Sequence, residues 1–357
     1  MSSATPHLSI FEYFSLSLVL VESLWSAALV LLKTPLRRDK GHRDLTTQIA
    51  FAKAKIQNEK LSARQSQWLN PPTEEVYLKL AEAQRFPPNT VALAHNTKAH
   101  WIGSSGADSI MVFFHGGGYV KPATTQLDLL WNIKKSMPQT FSICLMSYTL
   151  APSAQYPFQL RQAVLLLKYL IVDQGKDAKR MILCGDSAGG NLILGLLSHL
   201  QHPHPSIPAL TVPEPFLGAA LVSPWGEFST SAPSFTRNEE NDSINGAILR
   251  RWATYFMDGA PADNYNQPFL APGDWWKGLN GVIQALLITA GTDEVLLDGI
   301  AEFVTTIKTG FPSTTTFFAP REFHDQPFME SLDDNDERCQ QGKVLKAWLR
   351  ARMSLVS

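Results

Sequence analysis

Apolar and polar positions follow two rhythms along this chain. Short runs that are nearly all apolar stop abruptly at glycines or polar clusters. Longer stretches carry apolar residues at helical spacing. From about Ala99 onward the two textures alternate. Ile110 to Phe114, Phe141 to Tyr148, Met181 to Cys184, Leu217 to Val222 and Ala285 to Ala290 read as buried strands, with Thr315 to Phe318 as the last. Arg161 to Val172, Asn191 to Leu200 and Gly342 to Met353 read as helices. Strands that are apolar on both faces and alternate with helices predict a mostly parallel sheet covered on both sides, an α/β fold.

Two stretches break this rhythm. Leu45 to Gln84 is helical throughout, with a break at Pro71-Pro72. Gly226 to Gln267 is rich in polar and aromatic residues and interrupts the sheet between two strands. Insertions after strand ends are where lids sit in open α/β sheets.

The N-terminus has a third texture. Phe14 to Leu32 is 19 residues long and its single charge is Glu22. A helix of that length just spans roughly 30 Å of hydrocarbon, although an acid at its middle costs on the order of 3 kcal/mol on insertion scales. Lys33, Arg37, Arg38, Lys40 and Arg43 follow, and no Lys or Arg precedes, so the charged front of a secretory signal is missing. The segment reads as a membrane anchor or interfacial helix, against the plainer reading of an apolar helix packed on the body or shielding an active-site mouth. The positive-inside rule would leave the remainder cytoplasmic. One sequon, Asn241-Asp242-Ser243, would matter only in a lumenal protein.

Composition narrows the function classes. The 357 residues include 31 Lys+Arg and 32 Asp+Glu, a net charge of -1, with 45% apolar and 18% charged residues. That suits a large globular core and argues against disorder. Balanced charge without a long basic run argues against nucleic acid as a partner. Cys144, Cys184 and Cys339 cannot all pair, and no Cys/His spacing reads as a zinc site.

The chemistry lies where strands end. Gly185-Asp186-Ser187-Ala188-Gly189 is G-x-S-x-G between a strand and an apolar helix. A sharp strand-to-helix turn pushes the serine hydroxyl above the sheet, and only small neighbours tolerate the crowding. A helix N-terminus there favours developing negative charge. Serine needs a base, and the expected order is Ser, acid, His. His324 is the only histidine after His204. Asp293 and Glu294 both follow the strand Ala285–Ala290, and either could orient the imidazole. His115-Gly116-Gly117-Gly118 follows the strand Ile110–Phe114 and lets the main chain approach an oxyanion closely. The expected donors are the N–H groups of Gly117, Gly118 and Ala188.

At these residues the chain resembles the hormone-sensitive-lipase-like branch of the α/β-hydrolases, which includes arylacetamide deacetylases and fungal steryl acetyl hydrolases. The resemblance rests on H-G-G-G at 115–118, Y-x-L-A-P from Tyr148 with Pro157 following, G-D-S-A-G-G-N at 185–191 and Ser-Pro-Trp at 223–225. It covers roughly Trp101 to the C-terminus. It implies a Ser–acid–His hydrolase whose cap is built from the N-terminal region and the insertion after Ser-Pro-Trp. The branch's D-x-L-x-D is matched by Glu294-Val295-Leu296-Leu297-Asp298, with Glu in first place. This favours Glu294 and leaves Asp293 open.

The resulting division is an apolar segment 1–33, a cap region 34–98, core 99–225, a cap insertion 226–267 and core 268–357. The expected activity is hydrolysis of a small-molecule ester. That ester is a short acyl, often acetyl, ester of a bulky apolar alcohol such as a sterol or secondary metabolite. No cofactor or metal is required. The alternatives are acyl transfer or cyclisation in the same capped site, or a non-catalytic binder. Membrane association through Phe14 to Leu32, at the endoplasmic reticulum, is the expected localisation, with a cytoplasmic protein as the alternative. His199, His202 and His204 read as a helix end entering a Pro-rich loop rather than a metal site. Asp333, Asp334, Asp336 and Glu337 read as the charged first turn of the last helix. Trp252, Tyr255 and Phe256 read as one cap helix that either lines a pocket or holds the cap down.

Overall fold

The computed structural model describes residues 5–33, 44–329 and 339–356. Four helices come first: α1 (Ile10–Lys33), α2 (Leu45–Lys60), α3 (Ala63–Leu69) and α4 (Thr73–Gln84). Next come β1 (Asn89–Ala92), β2 (Lys98–Ile102), β3 (Ser109–Phe114), α5 (Gln126–Ser136), β4 (Phe141–Ser147) and α6 (Phe158–Lys168). β5 (Met181–Asp186) runs directly into α7 (Ser187–Gln201). β6 (Gly218–Val222) is followed by α8 (Pro233–Arg237) and α9 (Gly246–Met257). β7 (Leu286–Gly291), α10 (Leu297–Gly310), β8 (Thr314–Ala319), α11 (Gln326–Met329) and α12 (Gln340–Met353) complete the chain.

The strands form one sheet in the order β1-β2-β4-β3-β5-β6-β7-β8. From β4 to β8 every pairing is parallel, while β2 is antiparallel to both β4 and β1. Alternate residues feed two cores. Ile110, Val112 and Phe114 of β3 pack with α6 and α7, while Met111 and Phe113 pack with α5, α11 and α12. This two-faced burial is why the strands read as unbroken apolar runs.

The β1–β2 hairpin was not anticipated, so the sheet begins at Asn89, inside the stretch expected as cap. β1 is a four-residue edge strand with a mostly half-buried pattern, too short and too polar to show as a run. His95 and Asn96 turn the hairpin, both at φ 57°; the asparagine is the one local hint.

α1 lies on α2, with Leu16, Ser23 and Ala27 buried. The Gln65 Nε2 group donates to the Glu12 carbonyl and to Ser15 Oγ, each at 2.7 Å. Lys60 pairs with Glu22, so the one charge inside the apolar stretch is neutralised by the body. Phe11, Phe14, Leu18, Val21, Trp25 and Leu32 remain exposed on the outward side. Among the described residues α1 is the one helix long and apolar enough to cross a membrane. The basic positions 37–43 and the acidic cluster Asp333–Glu337 lie outside the described residues.

Candidate active site

β5 ends at Asp186, and α7 begins at Ser187 with no intervening loop. The turn forces Ser187 to φ 48°, a region L-residues enter at a cost and that clusters at functional sites. Close approach demands the flanking glycine: a Cβ on Gly189 would lie 1.8 Å from the Phe114 carbonyl oxygen. Ser187 stands at the first turn of α7, directly after the β5 strand.

The His115–Gly118 loop follows β3, the strand next to β5. Gly117 and Gly118 adopt φ 98° and 61°. Among the described residues their N–H groups have no protein acceptor. Three side chains fix this loop. Asp186 Oδ1 accepts the Gly116 N–H at 2.8 Å, and its Oδ2 accepts from Gln126 Nε2 at 2.9 Å. The Tyr148 hydroxyl donates to the His115 carbonyl at 2.8 Å, with the two rings stacked at 4.2 Å. Asp186 is fully buried, and burial pushes its carboxyl up to about 8. Ala188, the second residue of α7, is buried beside Ser187.

The candidate base and the candidate acid arrive from loops beyond β8 and β7. His324 Nε2 lies 2.9 Å from Ser187 Oγ. On the other side of the ring, Nδ1 faces Glu294 Oε2 at 3.7 Å. Asp293 instead is half-buried, with its N–H donated to the Glu322 carbonyl at 2.9 Å. Of the two acids left open by the sequence, the structure sets Glu294 beside the imidazole. Burial raises the Glu294 carboxyl, and His324 opposes that rise. Burial alone would lower the His324 imidazole, but Asp325 and Glu294 override it and raise it well above the ordinary histidine range.

Two further carboxylates converge here that the sequence reading did not assign. Asp325 Oδ2 lies 3.1 Å from His324 Nε2, on the Ser187 side of the ring. Asp242, from the insertion between α8 and α9, is fully buried against the backbones of Val295 and His324. Asp242 belongs to the sequon and Asp325 follows His324 in the chain, but only the fold brings the two carboxylates together at His324. Asp242 and Ser243 are buried, while Asn241 of the same sequon is half-buried.

The insertion covers the loop as well as the base. Trp252 of α9 presses on the oxyanion loop so closely that a Cβ on Gly118 would fall 2.1 Å from its ring. Phe256 stacks on Tyr119 at 3.8 Å. Both residues therefore fasten α9 to the core. Ser187 and His324 are only 4% and 5% exposed, so the site is closed over. The histidine cluster makes ordinary local bonds: His199 Nδ1 accepts the His204 N–H at 3.0 Å, and His202 Nε2 meets the Trp275 carbonyl at 2.9 Å. Cys144, Cys184 and Cys339 are buried free thiols.

This geometry agrees with what the chain is similar to. A family model described as steryl acetyl hydrolase matches residues 89–328. Steryl acetyl hydrolase 1 of Saccharomyces cerevisiae is 30% identical over 162 residues, which is 40% of this chain and 36% of the yeast protein. An acetyl-hydrolase of Streptomyces hygroscopicus is 26% identical over 243 residues, 67% of this chain and 75% of that protein. The matched part is thus well under two thirds of the yeast relative's length and three quarters of the bacterial one's. In three dimensions, an esterase from the bacterial hormone-sensitive lipase family superposes with a TM-score of 0.63, covering 97% of this chain and 100% of its own at 22% identity. That likeness shows the fold. The family match shows more: the chain belongs to the steryl acetyl hydrolase family.

Proposed function

We propose that this protein is a serine esterase that removes short acyl groups, acetyl above all, from bulky apolar alcohols. The observation that carries the reading is the 2.9 Å approach of His324 Nε2 to Ser187 Oγ on a strained strand-to-helix turn. His324 takes the Ser187 proton as Oγ attacks the ester carbonyl. The N–H groups of Gly117, Gly118 and Ala188 hold the oxyanion. Collapse expels the alcohol, which leaves with the proton from His324, and an acyl-serine remains. Water then gives its proton to His324, attacks the acyl carbon and releases the acid, and Ser187 recovers its proton. Glu294 orients the ring and balances its charge. The reaction needs only groups of the protein and water.

The names of the relatives favour hydrolysis over acyl transfer, cyclisation or simple binding. A short acyl group is supported by the names of the relatives, steryl acetyl hydrolase and acetyl-hydrolase. An apolar alcohol is supported by the outward face of α1. We read that face as lying in a membrane, at the endoplasmic reticulum, and the cap as the N-terminal helices together with the insertion 226–267.

The test is hydrolysis of p-nitrophenyl esters from acetate to long acyl chains, in detergent, with Ser187→Ala alongside. The proposal expects serine-dependent turnover whose kcat/KM falls as the acyl chain lengthens. A maximum at long chains would overturn the short-acyl assignment.

A further inference from the structure

One carboxylate ties the insertion to both the base and the acid. Asp242 Oδ1 accepts the His324 N–H at 3.2 Å and the Ser243 N–H at 2.6 Å. Its Oδ2 accepts the N–H of Val295, the residue after Glu294, at 2.7 Å. The backbones that carry the candidate base and acid therefore hang from the two oxygens of a single side chain. Three N–H donors and no exposed surface suit a carboxylate, which only accepts.

The neighbouring residues of the same segment grip the acid loop alone. Ser234 Oγ donates to the Val295 carbonyl at 2.7 Å, Asn238 Nδ2 to the Glu294 carbonyl at 2.8 Å, and Arg237 pairs with Asp298 at 2.7 Å. From the opposite side α2 leans on the same place. Phe51 packs edge-on against Phe323 at 4.7 Å, and Lys55 donates to the Glu239 carbonyl. Both parts outside the sheet rhythm thus converge on the residues around His324.

We propose that Asp242 is a positioning residue that makes the alignment of His324 with Glu294 depend on the seating of the insertion 226–267. The inference rests on the serine-esterase reading given above. While the segment is seated, both N–H groups are anchored and the ring stays between Ser187 and Glu294. When it lifts, both loops lose their common anchor. The closed cap and the assembled base are then one state.

The experiment compares full-length Asp242→Asn with Arg237→Ala and Ser187→Ala. Asn keeps the size but turns an amide N–H group toward one of the three donors. A misplacement of about 1 Å at a reacting group costs on the order of 100-fold. Asp242→Asn is expected to lower kcat by about that factor, with KM within about twofold of wild type and a cooperative melt. The acid limb of its kcat/KM profile also moves to lower pH. His324 faces Glu294, Asp325 and Asp242, with Lys55, Glu239 and Glu240 around Asp242 itself, and removing one negative charge makes the imidazolium less favourable. Arg237→Ala, which loosens only the acid loop, keeps the wild-type acid limb. A folded Asp242→Asn enzyme with kcat within about threefold of wild type and an unmoved limb would overturn the proposal. If Asp242→Asn does not fold, Ser234→Ala combined with Arg237→Ala must lower kcat at least about tenfold while still melting cooperatively. Unchanged kcat in that variant would equally overturn the proposal. Activity retained in Ser187→Ala would instead sink the serine-esterase reading, so the two failures are distinguishable.

Discussion

The two halves of this site are built in different ways. The half that holds the candidate nucleophile and oxyanion donors consists of two tight backbone turns at the ends of adjacent strands, β3 and β5. Its shape comes from glycines where a Cβ would collide and from a serine held at positive φ. The half that holds the candidate base and acid consists of side chains from three distant segments, Asp242, Glu294 and His324, with Asp325 beside them. Its shape comes from buried carboxylates, two beside the His324 imidazole and one holding the backbone that carries it. A backbone constraint leaves a local trace in the sequence. A shared titratable group leaves none until the segments meet.

The sharpest test of this contrast is at the acid. Glu294→Gln keeps the shape of the carboxylate half but removes its charge beside Nδ1. Turnover is expected to fall by roughly 1,000- to 10,000-fold, while Asp293→Asn stays close to wild type. Steady-state kinetics of both variants would decide it. Loss at Asp293 with survival at Glu294 would reverse the assignment.

The backbone half is tested at Gly118. Gly118→Ala places a methyl into the Trp252 ring at a φ of 61°. The loop must shift, and loss of one oxyanion donor typically costs about 100- to 1,000-fold in kcat. Binding of a non-reactive ester analogue is expected to change far less than kcat. Equal losses in both would point to general disruption of the cap instead.

Asp325 gives the smallest effect and the most specific one. The base acts only when its imidazole is neutral. Asp325 favours the protonated imidazole, so the acid limb of activity is expected above the ordinary histidine range. Asp325→Asn removes that pull. The limb moves to lower pH, and activity near pH 6 rises by about tenfold or less relative to the plateau. A limb that stays in place would show that Asp325 is not ionised beside the ring.

Much of this was legible in the chain. The strands from β3 to β7 announced themselves as apolar runs, because a parallel sheet hides both faces, while the edge strand β8 reads TTTFFA and is only partly buried. Ser187, His324 and the glycine loop were singled out by motif and order, and the fold brings Ser187 and His324 within 2.9 Å. The match to D-x-L-x-D favoured Glu294 over Asp293, although nothing local says which of two adjacent residues a loop turns toward the ring. The β1–β2 hairpin was hidden because an edge strand is held by pairing rather than by burial. The apolar N-terminal stretch was plain, but its seat on α2 was not, because the Glu22–Lys60 pair joins residues 38 apart in sequence. Asp242 was the least legible of all: its three acceptor bonds are to backbone N–H groups, which any sequence supplies.

The most direct measurement is p-nitrophenyl acetate hydrolysis by wild type and Ser187→Ala, each also treated with a fluorophosphonate and weighed by mass spectrometry. The account predicts a stoichiometric adduct on Ser187 that abolishes wild-type activity, and a variant that takes no adduct and loses at least roughly 10,000-fold in kcat. Wild-type turnover retained by a folded Ser187→Ala, or an adduct on another residue that stops the reaction, would contradict it.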